Sequence, residues 1–165
     1  MIAWLLAVAT LISGPVLAAD QRTELPISVE FAGAIGSANQ PILKAQLTNR
    51  GHEKISVETA SLPWGNRYSI TLLAVGENAR YEQPLPLVFP IDDPLPGEVD
   101  IKPGETIVGT IRLDYVFKEI QSRLQRGPVL VLWSYRLETV DGRRSPRLGG
   151  YIRVARAPPS GSHRQ

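Results

Sequence analysis

The stretch that decides the fold spans residues 129–137 and reads VLVLWSYRL. Every second side chain from Val129 is apolar or aromatic, and Leu130 and Leu132 make the other face apolar at the start of the run. A period of two with β-branched and aromatic residues is typical of a strand, and apolar residues on both faces indicate that the strand is covered on both sides. The sequence therefore predicts a central β-strand here, with Trp133 in the core.

Shorter runs with the same period flank this strand. They predict strands at 25–31, 42–48, 67–75 and 106–113, and a closing strand at 147–154 after the turn Asp141-Gly142. In the block at 67–75, Tyr68 is expected on the same face as Ile70, Leu72 and Ala74. A further strand at 55–57 is expected to return from the turn at 49–51 and to form a hairpin with 42–48. Short strands at this spacing predict an all-β antiparallel sandwich of about seven to nine strands.

Two segments break the strand pattern. Six prolines fall within residues 84–103, which excludes a central strand or helix and predicts an extended connection at a sheet edge or across the end of the sandwich. Residues 115–125 carry Phe117, Ile120 and Leu124 at helical spacing and end before Gly127-Pro128, so one short helix is expected there.

The first residues predict export. An apolar run at 2–12 is followed by Ser13-Gly14-Pro15 and then by small residues, which is the layout of a secretory signal peptide at 1–19. An uncleaved anchor is the alternative, because no Lys or Arg precedes the run. We expect one domain at 20–155, a disordered tail at 156–165, no membrane span after signal cleavage, and a periplasmic or extracellular location.

Residue usage excludes several kinds of chemistry. The chain has no cysteine and only two histidines, so Cys nucleophiles and His/Cys metal sites are excluded. His52-Glu53 begins like a zinc-protease motif, but Ser56 stands where the second histidine would be. No cofactor, no metal and no catalytic residue is predicted. Nucleic acid is also a poor partner, because the chain is predicted to be exported and its arginines are not interleaved with stacking aromatics.

Carboxylates are the remaining acid–base groups. Asp92, Asp93, Glu98 and Asp100 lie around the proline-rich connection. A loop that brought two of them together would suit a calcium ion or a small carbohydrate-active enzyme, whereas acidic residues between prolines are more often the solvated side of a loop. We predict that the chain is not an enzyme and that Asp92 and Asp93 are binding candidates.

Three further side chains are candidates for binding. Trp64 follows Leu62-Pro63, and its ring either stacks on a partner or packs inward and closes the end of the core. Arg143 and Arg144 flank the last hairpin turn, in a half of the chain (111–165) with eleven Lys and Arg against four Asp and Glu. They either form an anion-binding patch or are solvated.

Four short motifs resemble a known family. Thr48-Asn49-Arg50-Gly51, Leu62-Pro63-Trp64-Gly65, Pro103-Gly104-Glu105 and Leu113-Asp114-Tyr115 are similar, in order, to the immunoglobulin-like β-sandwich that precedes the catalytic domain of deuterolysin-type and peptidyl-Lys metallopeptidases. The resemblance covers roughly residues 41–115. It implies an immunoglobulin-like sandwich without peptidase activity, because the zinc domain that carries that activity is not in this chain.

These observations predict an exported, non-enzymatic binding or accessory module that presents loops to a protein or cell-envelope glycan. Two alternatives stay open. One is the small carbohydrate-active enzyme with carboxylates of the 92–100 loop, and the other is a structural subunit that self-associates through a strand edge.

Overall fold

The structure is a computed structural model that describes residues 24–36, 39–77, 83–88 and 96–156. The predicted signal peptide, the predicted tail beyond Arg156, and Asp92 and Asp93 lie outside these residues. The described strands are β1 (Ile27–Ile35), β2 (Pro41–Asn49), β3 (Ile55–Glu58), β4 (Ile70–Gly76), β5 (Glu98–Ile101), β6 (Thr106–Arg112), β7 (Val129–Tyr135) and β8 (Leu148–Val154). Two short helices, α1 (Leu113–Val116) and α2 (Ile120–Arg126), join β6 to β7, and a 3₁₀ turn spans Thr59–Ser61.

The strands form three antiparallel sheets. One has the order β1-β2-β6, the second has the order β4-β7-β8, and β3 pairs with β5 in a third, two-stranded sheet. In chain order, the first two sheets match strands A-B-E and C-F-G of an immunoglobulin-like sandwich. The predicted all-β, immunoglobulin-like class is therefore confirmed, with eight strands among the described residues.

Strand β7 is the central strand of its sheet, as its sequence predicts. It pairs with β4 on one side and β8 on the other, with Leu132 opposite both Leu73 and Tyr151. Trp133 lies on the inward face, half-buried against the core, and its ring is 4.7 Å from the ring of Phe31 on β1. The side chain therefore helps to join the two larger sheets.

The core lies between the inward faces of the sheets. Strands β2, β4 and β7 contribute alternate buried side chains, as a period of two requires, and the α1–α2 segment closes one end. Buried members include Leu43, Leu47, Ile70, Ala74, Val129, Val131, Phe117, Ile120 and Leu124.

The predicted hairpin of β2 and β3 is wrong. Strand β3 pairs with β5, and β2 pairs with β1 and β6. The reason lies at Asn49: its side-chain Nδ2 donates to the carbonyls of Glu53 and Ile101, at 2.7 and 3.0 Å. These bonds hold residues 50–54 as a loop against the end of β5, and the chain leaves the first sheet instead of turning back along it.

Two local expectations also differ from the structure. Tyr68 does not share the buried face of Ile70, Leu72 and Ala74: it is 70% exposed, because β4 begins only at Ile70 and Asn66 Oδ1 accepts the Tyr68 N–H in a turn. The helix expected at 115–125 is interrupted at Phe117, which forms an isolated β-bridge with Leu87. The three apolar residues that predicted this helix are all buried, as expected.

Among the residues that the structure describes, no helix is long and apolar enough to cross a membrane.

Candidate functional site

A groove of about 600 Å³ is lined by residues of β4, of the loop between β3 and β4, and of the end of β6 with α1. Apolar side chains of both larger sheets form its floor, so the groove opens directly over the core. The floor residues are Ile70, Leu72, Val88, Ile111 and Val116.

Trp64 is held at the groove by two close backbone approaches. Gly65 donates its N–H to the Leu62 carbonyl at 2.9 Å, and a Cβ at Gly65 would lie 1.7 Å from the Thr59 carbonyl oxygen. The Trp64 ring covers Gly109 of β6, where an added Cβ would lie 2.0 Å from the ring. Only glycine fits at both positions.

The placement of Trp64 combines the two outcomes that its sequence left open. The half-buried ring packs against the core and closes the gap between the sheets, and it also lines the groove. A tryptophan fixed in this way presents an aromatic surface without losing much side-chain freedom on binding, which favours recognition.

The end of β6 and the helix α1 contribute a polar and aromatic cluster to the groove lining. Arg112 donates from Nε and Nη2 to both carboxylate oxygens of Asp114, at 3.2 and 2.7 Å, and from Nη1 to the Tyr115 hydroxyl at 2.6 Å. Its guanidinium carbon also lies 3.7 Å from the centre of the Tyr115 ring. The hydrogen bond to Asp114 raises the pKa of Arg112. Tyr115, although 60% exposed, is thus held in one orientation.

The lining carries charge as well as apolar surface. Arg67, Arg112 and Asp114 are the charged residues of the groove, which gives two cations and one anion. A second hollow of about 210 Å³ adjoins it and shares Arg67, Ile70 and Leu72 with it. An apolar floor with aromatic walls and a few fixed charges is typical of a binding site.

Two of the four carboxylates around the proline-rich connection, Glu98 and Asp100, are among the described residues. Asp92 and Asp93 lie outside them. Asp100 accepts from Lys54 Nζ at 2.8 Å and from the Ser56 hydroxyl, and these two hydrogen bonds lower its pKa. A general acid needs a raised pKa, so the surroundings of Asp100 suit a structural ion pair better than catalysis.

The hairpin arginines are paired with carboxylates. Arg143 contacts Asp141 at 2.8 Å and Glu53 at 3.5 Å, and Arg144 donates to both oxygens of Glu138 at 3.0 and 3.1 Å. The Arg144 hydrogen bond lowers the pKa of Glu138. These pairs neutralise much of the local positive charge, and none of these five side chains lines the groove.

Of the binding candidates within the described residues, only Trp64 lines the groove. Sequence reasoning missed Arg112 and Tyr115 as site residues. The sequence did contain a signal for Tyr115. In the predicted helix it does not share the apolar face formed by Phe117, Ile120 and Leu124, and an aromatic residue outside the buried face of a helix is exposed. Arg67 gave no such signal, because its role depends on the path of the loop.

Comparison with known proteins adds no relative. No family model matches the chain, and no curated protein matches it.

Proposed function

We propose that this protein is an exported, non-enzymatic binding module whose partner docks in the groove between Trp64 and Tyr115. The observation that carries the proposal is the groove itself: Trp64, packed against the core, and Tyr115, held by Arg112, both line it together with apolar core side chains. Such a surface gains free energy when an apolar group displaces its water. The resemblance to the accessory sandwich of deuterolysin-type metallopeptidases agrees with this role and stays a prediction.

The lining favours a protein partner over a glycan. Apolar side chains form most of the wall, whereas sugars need several polar groups that converge on their hydroxyls. An apolar or aromatic side chain of a protein fits this environment, and the two arginines with Asp114 suit an acidic group beside it.

The experiment compares two exposed tyrosines. Purified wild-type protein, Tyr115→Ala and Tyr151→Ala are incubated with the envelope fraction and culture fluid of the native source, cross-linked and analysed by mass spectrometry. Tyr115 lines the groove, whereas Tyr151 is 73% exposed on the outer face of the other sheet and serves as the matched control. Trp64→Ala is a second groove variant.

We expect one discrete protein partner to be retained by wild type and Tyr151→Ala and to be lost from Tyr115→Ala and Trp64→Ala. Retention by all four proteins, or loss from Tyr151→Ala alone, would show that the groove is not the site. Retention of a glycan instead of a protein would show that the partner is a cell-envelope glycan.

A further inference from the structure

Among the residues that the structure describes, the outer edge of β6 has no strand partner. Asn49 donates its N–H to the Glu105 carbonyl at 3.0 Å, which makes these two residues a bonded pair at the start of the β2–β6 ladder. Bonded pairs alternate along an antiparallel ladder, so Ile107, Gly109 and Ile111 bond to β2. The backbone groups of Thr106, Val108 and Thr110 therefore point away from β2.

The other three edges of the two larger sheets are covered in the described part of the chain. Leu85 donates its N–H to the Ala74 carbonyl at 2.8 Å and so covers β4. Strands β1 and β8 pack against each other: a Cβ at Gly33 would lie 2.8 Å from the side chain of Val154 and 3.2 Å from the carbonyl of Arg153. Within the described ranges, no strand pairs with the outer edge of β6.

Up to Ile111, the sequence of β6 lacks the residues that usually protect such an edge. Residues 106–111 read TIVGTI, with no charged residue and no proline, and Val108 is 68% exposed. Natural proteins usually block such an edge with lysine, proline or a bulge, because free backbone groups on a β-branched strand attract another strand. An unprotected edge beside a binding groove therefore points to a use in recognition.

The fold also indicates what fits there. In an immunoglobulin-like sandwich of the constant type, a fourth strand, D, lies beside strand E. Strand β6 corresponds to E, and the described residues provide no strand in the D position. The groove lies at this same edge, with Thr110, Ile111 and Arg112 in its wall.

We propose that an extended segment of the partner pairs with β6 and becomes the fourth strand of sheet β1-β2-β6. The inward side chain opposite Ile111 then enters the groove beside Trp64. Arg112, the last residue of β6, lies in the wall of the groove and favours an acidic residue next to this apolar anchor. This mode of binding is β-strand addition, and the inference rests on the groove being the binding site proposed above.

Amide hydrogen exchange tests the proposal on the purified protein. The probe is a capped peptide, Thr-Val-Thr-Phe-Glu-Val-Thr, whose inward positions are Val, Phe and Val and whose Glu follows the anchor. Before the peptide is added, the amides of Val108 and Thr110 should exchange quickly, and those of Gly109 and Ile111 slowly. At saturation, the Val108 and Thr110 amides should become at least about tenfold better protected.

Matched changes define the mode of binding. A peptide with Lys in place of Glu should bind about three- to fivefold more weakly. Val108→Pro removes an outward N–H that the β2 ladder does not use, so the variant should fold and lose peptide binding, while Val108→Thr should bind as wild type does.

Three results would overturn the inference. The first is slow exchange of the Val108 and Thr110 amides before the peptide is added. The second is exchange of these amides that slows as the protein concentration rises, which would report a second copy of the chain. The third is unchanged exchange of these amides at the highest soluble peptide concentration. In the cross-linking experiment, the Val108→Pro variant is compared with the same variant that also carries Tyr115→Ala. If only the first retains the partner, strand addition is wrong and the proposed function stands. If retention does not depend on Tyr115, the proposed function fails instead.

Discussion

At the scale of single residues, the contact between Trp64 and Gly109 determines the form of the groove. The tryptophan ring occupies the space that a side chain at position 109 would fill. A short sequence motif around Trp64 and one glycine, far away in sequence, are therefore parts of one feature. Because the ring closes the core and lines the groove at once, a change at Gly109 affects both stability and binding.

Gly109→Ala tests this contact. The added methyl group must displace the Trp64 ring, and we expect a loss of about 1–3 kcal/mol in the free energy of unfolding, as for an overpacked core. Urea denaturation measures the loss. Gly36→Ala is the control, because its Cβ would make only ordinary contacts at 3.5 Å. Equal stability of Gly109→Ala and wild type would contradict the placement of Trp64.

The ion pair of Asp100 and Lys54 predicts a dependence on pH. Since the pKa of Asp100 is lowered in the folded protein, the stability that the pair contributes is complete above the ordinary Asp value of 3.8 and is lost as pH falls through the lowered value. Urea denaturation at several pH values should show Asp100→Asn less stable than wild type above about pH 4.

The difference between the two proteins should shrink as the solution becomes more acidic. Lys54→Met removes the same interaction from the other partner and should reproduce this behaviour. A difference that grows on acidification would mean that Asp100 is stabilised in its protonated form.

At the scale of elements, the segment between β6 and β7 positions the polar side of the groove. The short helix α1 ends at Val116, and Phe117 bridges to Leu87 of the proline-rich connection. Two backbone bonds of 2.8 Å flank the bridge, from Val88 to Val116 and from Lys118 to Pro86. The connection is thereby fixed beside the groove, and Val88 becomes part of its floor.

Phe117→Ala should destabilise the protein strongly. The side chain is 1% exposed, and its removal leaves a cavity whose cost is about 3–5 kcal/mol. Phe117→Leu retains most of the volume and should cost less than half as much. Thermal denaturation of both variants provides the comparison. A loss below about 1 kcal/mol for Phe117→Ala would show that this segment does not anchor the connection.

Elements with a clear period could be predicted from the sequence, and their partners could not. The alternation in β7 identifies a central strand, because both of its faces must be covered. Strand β3 was predicted correctly, but its pairing with β5 was missed, since it depends on the bonds that Asn49 makes to residues distant in sequence. The interruption of the helix at Phe117 likewise depends on Leu87, which no local pattern indicates.

The candidate site was predicted only in part, for a similar reason. Trp64 stands out in the sequence as an aromatic residue in a turn. Arg112 and Tyr115 become site residues because β6 ends beside the loop that holds Trp64, and this proximity is a property of the packed sheets. Arg143 and Arg144 also stand out in the sequence, but carboxylates such as Asp141 and Glu138 pair with them in the fold.

At the scale of the whole molecule, the two larger sheets have different roles. The sheet β4-β7-β8 carries an outer row of partly exposed apolar residues, Leu73, Leu132 and Tyr151, that face each other in register. The sheet β1-β2-β6 ends at β6, whose outer edge has no partner among the described strands, and the groove is lined by side chains of both sheets. The two surfaces lie on different parts of the sandwich, so an experiment that locates the bound partner separates them.

The most direct test of the groove as the binding site is the amide and indole NMR spectrum of the protein, recorded with and without the partner retained by cross-linking. We predict that the largest shifts occur at the Trp64 indole, Arg112 and Tyr115, with little change at Leu132 and Tyr151. Shifts centred on Leu132 and Tyr151, with the Trp64 indole unchanged, would contradict the account.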